Sequence, residues 1–547
     1  MSYIIKTTSI SKLVKKVSFL GCVMLSAFST GITATEQVNA QPNILLIVVD
    51  DLNDYQGVFG GHPQVKTPNI NKLAASGIRF TNMQTNTPVC QPSRNSLFTG
   101  VYPHESKDFA WTAKYKHPVL KHNKTVMEMF NENGYYTLGT GKLMHGNKTP
   151  EWQEWGNNVK HNYGPTIFDG EKLTATKNVP SPFREIGAID GSFGRLSEGG
   201  ISPGIKGKPG WVNGWTKVPF RYASESDRDL LPDEAHAQWA ETKFSELAKK
   251  DKQQPFFMGV GFVRPHTPLY APDRFFDMYP LESIELTPWM KNDTDDTYFN
   301  ENFPDNGKGL KYYQKLLASY GGDREIAIKH FLQAYLACIT FMDEQVGKVI
   351  TALEANPELN ENTMVVFTSD HGWQMGEKNY IFKNSPWEES ARIPLIIRPV
   401  IRSATNSNIN NASVEQPVSL IDIFPTLVDY GQLKGEHRHN KKGGKLGGFS
   451  LRPFIEDPTT DSWQGPNGAL TVVGNYANSG KEKSVAKQNY SYRTKEFRYI
   501  HYSNGKEELY DHTSDPHEWA NLASNKQYKD IIKTLKSEVS AIIGQQL

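Results

Sequence analysis

Asp50 and Asp51, Lys142 and His145, Arg264 and His266, and Asp370 and His371 each follow a short apolar run. Three of these residues are carboxylates. Gathered at one place they repel one another and raise each other's pKa. A hard divalent cation relieves that repulsion, and oxygen ligands suit calcium or magnesium. His371 is less expected at such a hard site, and reads either as a ligand or as a nearby hydrogen-bond partner. The competing reading is that the acids cap helices and pair with arginines; three acids at two strand ends favour the metal.

A second feature is "TPVCQPSRNSLFTG" at residues 87–100, where Cys90 precedes Arg94. A thiol just ahead of a helix start and near an arginine is expected to have a lowered pKa, which suggests a thiolate nucleophile. Soft sulfur does not suit a hard cation, however. An oxygen nucleophile at this position would fit far better. Cys338 lies in "FLQAYLACITFMDEQV", an amphipathic pattern, and reads as a small buried apolar residue. Only these two cysteines follow residue 40, so there is no disulfide framework.

The elements that must position these groups are legible as periodicity. "NILLIVVDD", "GYYTLGTGKLMHG", "PFFMGVGFVRPH", "TMVVFTSDHG" and "IPLIIRPV" read as fully buried strands. "PNINKLAASG", "TVMEMFNENG", "DEAHAQWAETKFSELAKK" and "AYLACITFMDEQVGKVITALEA" show helical spacing, with Asn133-Gly134 as a stop. The alternation predicts an α/β fold with a mostly parallel sheet sandwiched by helices. Ligands bind at the carboxyl ends of strands in such sheets, so the reactive clusters should converge on one edge.

Residues 147–232 are rich in Gly, Pro, Trp and Asn with little periodicity, and read as loops over that edge. A Gly- and Lys-rich stretch at 431–448 reads as a connection. The strands and helix after it predict a smaller C-terminal α+β subdomain, an antiparallel sheet closed by a helix near 526–546. The expected division is a signal peptide at 1–40, a catalytic domain at 41–432 and the subdomain at 433–547. Lys6, Lys12, Lys15 and Lys16 ahead of the apolar Val17–Phe28 stretch carry the signal-peptide reading, and that stretch is too short to span a membrane. The expected location is secreted or periplasmic. A formal net charge of +1 gives no electrostatic case for nucleic acid, and any basic patch must be local.

"CQPSR" followed by "TG" resembles the signature of the type I sulfatases. "NILLIVVDDLND", "TPNINKLAASGIRFTN", the Gly-Lys-x-x-His of "GYYTLGTGKLMHG", "FTSDHGWQMGE" and "LYDHTSDPHEWANLA" resemble further elements of that family, over nearly the whole mature chain. "GFVRPHTPL", "YPLESIELTPWM" and "SDHGWQMGEKNYIFK" are most similar to its iduronate-2-sulfatase-like branch, which includes bacterial enzymes acting on sulfated polysaccharides. The resemblance implies an alkaline-phosphatase-like fold and conversion of Cys90 to formylglycine by a maturation enzyme. The hydrated aldehyde would supply the oxygen nucleophile. It implies that Asp50, Asp51, Asp370 and His371, with the modified Cys90, hold calcium. Arg94 would steady the hydrate, and Lys142 and Lys383 would bind sulfate oxygens. His145 would sit beside the nucleophile, and His266 would face the leaving oxygen. Phe98 stands where the signature has Leu or Met, an apolar exchange. In the implied reaction one hydroxyl of the hydrate attacks sulfur, His266 or Lys383 protonates the departing sugar oxygen, and His145 then helps expel sulfate. His104, Asp108, Trp111 and Trp387 are expected to line the sugar pocket. The competing functions are a phosphodiesterase or phosphonate monoester hydrolase of related fold, and a non-catalytic glycan-binding protein.

Overall fold

The computed structural model describes residues 41–547 apart from 147–149, 157–162, 201–202, 250–253, 303–307, 402–408 and 475–482. The expected signal peptide lies outside the described residues. Along the chain the elements that carry the site are β1 (Asn43–Val49), α1 (Pro68–Ala75), β2 (Ile78–Phe80), α2 (Cys90–Thr99), α3 (Val126–Glu132), β3 (Tyr136–Gly141) and β4 (Glu154–Gly156). There follow α4 (Pro232–Leu247), β5 (Phe256–Phe262), α5 (Arg324–Glu354), β6 (Thr363–Ser369), β7 (Leu395–Arg398) and β8 (Ala412–Val414). The chain closes with β9 (Ala469–Val473), β10 (Asn489–Arg493), β11 (Phe497–His501), β12 (Glu507–Asp511) and α6 (Lys529–Ile543).

Eight strands form one sheet in the order β8-β2-β7-β6-β1-β5-β3-β4. β6, β1, β5, β3 and β4 are parallel to one another, and β7 is antiparallel to both β6 and β2. The fold is therefore mixed and mostly parallel. β1 shows why its sequence is apolar without interruption. Leu45, Ile47 and Val49 enter a core with α4 and α5, while Ile44, Leu46 and Val48 enter a second core with α2 and α3. A strand covered on both faces has no polar side to alternate with. Truncating Ile47 to alanine would cost about 2–5 kcal/mol.

α5 is a helix of 31 residues, and it starts ten residues before the periodic stretch read from the sequence. The Asp323 side chain caps it by accepting from the Ile326 N–H at 3.0 Å. α3 opens on a reciprocal cap between Thr125 and Glu128 and ends at Asn133, with Gly134 in the left-handed region at φ 82°.

The reading of 147–232 as loops needs correction. β4 joins the edge of the main sheet, and Pro165–Phe168, Leu173–Thr174, Gly210–Asn213 and Val218–Pro219 pair into a four-stranded antiparallel sheet. Strands of two to four residues are too short for alternation to register. At the C-terminus β9–β12 form an antiparallel sheet in chain order, and α6 packs its Ile532, Leu535, Val539 and Ile543 on it. No helix among the described residues is long and apolar enough to cross a membrane.

Candidate active site

The carboxyl ends of the central strands deliver the reactive groups. The ladder carries one residue past each strand: Asp50 N–H donates to the Phe262 carbonyl at 3.2 Å, and Asp370 N–H to that of Val49 at 3.1 Å. Asp51 then turns into the left-handed region at φ 61°, an uncommon conformation for a residue with a Cβ. It is held there by the Tyr335 hydroxyl of α5, which donates to its carbonyl at 2.7 Å. On β3, Gly141 has φ 79°, and a Cβ there would lie 1.9 Å from the Gly261 carbonyl oxygen. Only glycine lets the chain turn so close to β5 and deliver Lys142.

α2 supplies the other half. Cys90 is its first residue, Ser93 donates from Oγ to the Asp370 carbonyl at 2.7 Å, and Arg94 is fully buried. The Arg94 guanidinium ties three strand ends together. Its Nε donates to Asp370 Oδ2 at 2.8 Å, its Nη2 to Asp50 Oδ1 at 3.1 Å, and its Nη1 to the carbonyls of Leu143 (2.9 Å) and Lys142.

Around Cys90 Sγ stand Lys383 Nζ at 3.1 Å and His371 Nε2 at 3.2 Å. Lys383 also donates to Asp51 Oδ1 at 2.7 Å, and Lys142 Nζ pairs with Asp50. Lys383 rides on a short hairpin (Gln374–Met375 with Ile381–Phe382), and the next residue, Asn384, donates from its N–H to the Pro88 carbonyl at 2.9 Å. Ligand-capable atoms of Asp50, Cys90, Asp370 and His371 lie within 4.8 Å of one another, as do those of Asp50, Asp51, Cys90 and His266. His266 Nε2 is 3.8 Å from Asp51 Oδ2. That oxygen is buried without a hydrogen-bond partner, although every other oxygen of the three aspartates receives a donor.

The electrostatics follow from this packing. Burial opposes the charge of Asp50, but Lys142, then His266 and Arg94, hold its carboxyl well below the usual range. Burial pushes Asp51 up to about 8, with Lys383 offsetting part and Asp50 and Cys90 adding to it. The expected low thiol pKa of Cys90 is overturned. Burial and then Asp50 push it up, and the nearby lysines only partly compensate. α2 begins inside the protein rather than at its surface, so desolvation outweighs the cationic neighbours.

The His145 end is the least buried part of the described site. His145 is half-buried, and its ring meets that of Trp111 at 5.1 Å; Trp111 is 52% exposed. Tyr163 was not picked out from the sequence. Its ring lies 4.7 Å from Lys142 Nζ and 4.6 Å from the His266 ring, and its hydroxyl is 3.5 Å from His145 Nε2. Arg264 anchors it by donating to its carbonyl at 2.7 Å, across Gly164 (φ 94°), where a Cβ would lie 2.3 Å from the guanidinium. The adjacent Tyr-Gly in an aperiodic segment was the available signal.

Three further residues expected to line a sugar pocket are buried in packing contacts. His104 is buried, stacks on Tyr102 at 4.9 Å and interacts with the backbone of Ile542 in α6. Trp387 is buried and donates from its indole N–H to Glu508 at 3.2 Å. Asp108 is buried and accepts from Asn95 Nδ2 of α2 at 2.7 Å. Each was read from residue type alone, and aromatic and polar side chains also serve as packing with one polar handle.

Comparison with known proteins bears directly on this arrangement. Residues 42–433 match the family model described as Sulfatase, and residues 376–545 match one described as N-sulphoglucosamine sulphohydrolase, C-terminal. A sulfatase of Formosa agariphila is 31% identical over 526 residues, covering 95% of this chain and 90% of that protein. Iduronate 2-sulfatase of Homo sapiens is 26% identical over 94% of this chain and 96% of its own. A structure solved with its substrate D-glucosamine-2-N,6-O-disulfate shares the fold, with TM-score 0.63 and 22% identity over 92% of this chain and 98% of that one. With the family model spanning the sheet and the site that its strand ends build, this chain belongs to the sulfatase family and is a sulfuric ester hydrolase.

Proposed function

We propose that the protein releases sulfate from a sulfated glycan, with Cys90 converted to formylglycine and calcium held by Asp50, Asp51, Asp370 and His371. The observation that carries this reading is the unmatched oxygen at the centre of the site. Asp51 Oδ2 is buried without a donor beside two further carboxylates, a donor set that suits a hard cation. The thiol does not suit that set, and burial keeps it protonated. An oxygen in its place would suit it. Calcium would supply positive charge at the site, and hydrated formylglycine would supply an oxygen nucleophile beside it.

The chain's own residues then divide the remaining work. Lys142 and Lys383 bind the sulfate oxygens and take up charge that develops on them. Arg94 fixes Asp50, Asp370 and the Lys142 carbonyl in one frame. Lys383, which despite its burial Asp51 holds protonated, or His266 gives the proton to the leaving sugar oxygen, and His145 takes the proton that frees the product. Tyr163 orients both imidazoles and Lys142. Trp111 stacks on the sugar at the His145 end. Residues 1–40 direct export to the periplasm or beyond, and a formylglycine-generating enzyme is the maturation partner. Residues 41–432 carry the catalytic groups and 433–547 form the subdomain. The relatives named for iduronate 2-sulfate and for a disulfated glucosamine support a sugar sulfate as substrate.

The test is to co-express the chain with a maturation enzyme and measure the mass of the peptide spanning Cys90. The enzyme is then assayed on matched aryl sulfate and aryl phosphodiester substrates. An aldehyde at Cys90 with preferential sulfate release is the expected result. An intact thiol together with turnover would overturn the nucleophile assignment, and faster phosphodiester cleavage would overturn the reaction.

A further inference from the structure

Near-neutral overall charge hides a strong local asymmetry. Residues 114–124 contain four lysines and no carboxylate, and residues 434–445 contain five lysines or arginines against Glu436 alone. The fold joins these two segments, which are far apart in the chain. His439 N–H donates to the His122 carbonyl at 2.8 Å, and Lys124 N–H to that of His437 at 2.8 Å. Asn440 Nδ2 meets His122 Nδ1 at 3.1 Å, and Asn123 exchanges hydrogen bonds with Gly444.

Some of the cations are neutralised where they stand. Lys114 pairs with Glu128, Lys124 with Glu132, and Arg438 with Glu436. Lys116, Lys121, Lys441, Lys442 and Lys445 are exposed, and among the described residues none of them has a carboxylate partner. Glu105 accepts the backbone N–H of Lys445, and Glu128 pairs with His439 at 3.3 Å. His122 reports the crowding: desolvation, then the charges of Lys121, Lys442 and His439, lower its proton affinity. Uncompensated like charges held together by backbone hydrogen bonds are costly for folding alone, and become favourable when a polyanion spreads over them.

The position of the patch selects the polyanion. Residues 111–121 run from the active-site rim straight into it. Trp111 touches His145, and the rings of Trp111 (52% exposed) and Tyr115 (43% exposed) stand where the path begins. The span is at most about 35 Å. We propose that the lysines of 114–124 and 434–445 form a second binding surface for the sulfated polysaccharide chain, beyond the sugar whose sulfate reacts. The substrate is then a polymer or long oligomer rather than a free monosaccharide. The assignment rests on the sulfated-glycan reading above. An RNA or anionic membrane partner is disfavoured because the surface leads into a site for a sulfate ester.

The test compares the matured enzyme with its K121Q/K441Q/K442Q/K445Q variant, four exposed substitutions away from the site. Binding is measured with labelled dextran sulfate and turnover with 4-nitrophenyl sulfate. The expected result is unchanged 4-nitrophenyl sulfate kcat/KM, dextran sulfate binding weakened about tenfold or more, and a shallower salt dependence of that binding. Equal dextran sulfate affinity in the two proteins overturns the proposal, as does tighter binding of poly(U) than of dextran sulfate by the wild type. Failure of the wild type to turn over 4-nitrophenyl sulfate would count against the active-site reading and leave the binding comparison intact as a test of the patch.

Discussion

Among the described residues, two clusters bring carboxylates and a histidine within metal-ligating distance, and they differ in one respect. One is the strand-end group of Asp50, Asp51, Asp370, His371 and Cys90; the other is Glu388, His512 and Glu518 at the junction with the C-terminal sheet. In the second a guanidinium already fills the centre. Arg498 pairs with both Glu388 and Glu518 and donates to Ser491 Oγ at 2.8 Å, while His512 meets Glu518 at 2.9 Å. Burial opposes both charges, yet Arg498 leads the groups that hold both carboxyls below their usual range. In the first cluster burial wins at Asp51, and one oxygen has no donor. The first holds three carboxylates and the second two, and all five are buried. What separates the two is a fully buried carboxylate oxygen left without a donor, which among the described residues the first has at Asp51 Oδ2 and the second lacks. The two are also coupled. Glu388 lies five residues after Lys383, and its N–H donates to Glu518 at 3.1 Å, so the satisfied cluster fixes the segment that carries a lysine of the unsatisfied one.

The sharpest break between the two is at Cys90, the proposed nucleophile. Cys90→Ala should reduce sulfate release by at least roughly 10⁴-fold, as loss of a nucleophile does elsewhere. It should leave thermal stability close to that of the parent, because nothing in the Arg498 network touches it. A Tm loss of many degrees would mean that Cys90 is structural. Arg498→Met should do the reverse. It leaves Glu388 and Glu518 buried without their cation, at about 3–5 kcal/mol of stability. Retention of full stability would mean the second cluster is not the closed network described here.

The third expectation concerns the unmatched oxygen itself. Calcium at 100 times its Kd should stabilise the wild type by about 2.7 kcal/mol, and chelation should remove that gain. Asp51→Asn should lose most of this response, while Glu518→Gln should keep it. An Asp51→Asn protein that responds to calcium like the wild type would sink the assignment of Asp51 as a ligand.

The strand ends were legible because doubly covered parallel strands leave a continuous apolar run, and whatever polar residue follows it must stand at the sheet edge. Asp50, Asp51, Lys142, Asp370 and His371 all stood out in that way. What failed to register shares a different cause. Tyr163 sits in a segment whose strands are too short to show a period. Glu518 and Arg498 act across more than a hundred residues on Glu388, and no local pattern announces a long-range ion pair. A thiol at a helix start beside an arginine predicts a low pKa only where solvent reaches it, and depth is not written in spacing.

His104 and Trp111 test the smallest difference, since both are expected as pocket residues and only Trp111 is exposed. Trp111→Ala should raise KM for a glycan sulfate up to about tenfold with kcat unchanged, the size of one lost ring contact. His104→Phe keeps the stacking on Tyr102 and should leave both constants within error. Its effect should appear in stability against pH instead. Burial lowers the His104 pKa to about 4, with its interaction at Ile542 offsetting part. Between about 6.5 and 4 the unfolded chain therefore binds a proton that the folded one refuses, and wild-type stability falls as pH drops through that window. His104→Phe should fall less steeply there, read as a smaller loss of Tm between pH 7 and pH 5. A variant with unchanged acid sensitivity but raised KM would return His104 to the pocket and make α6 part of the substrate wall.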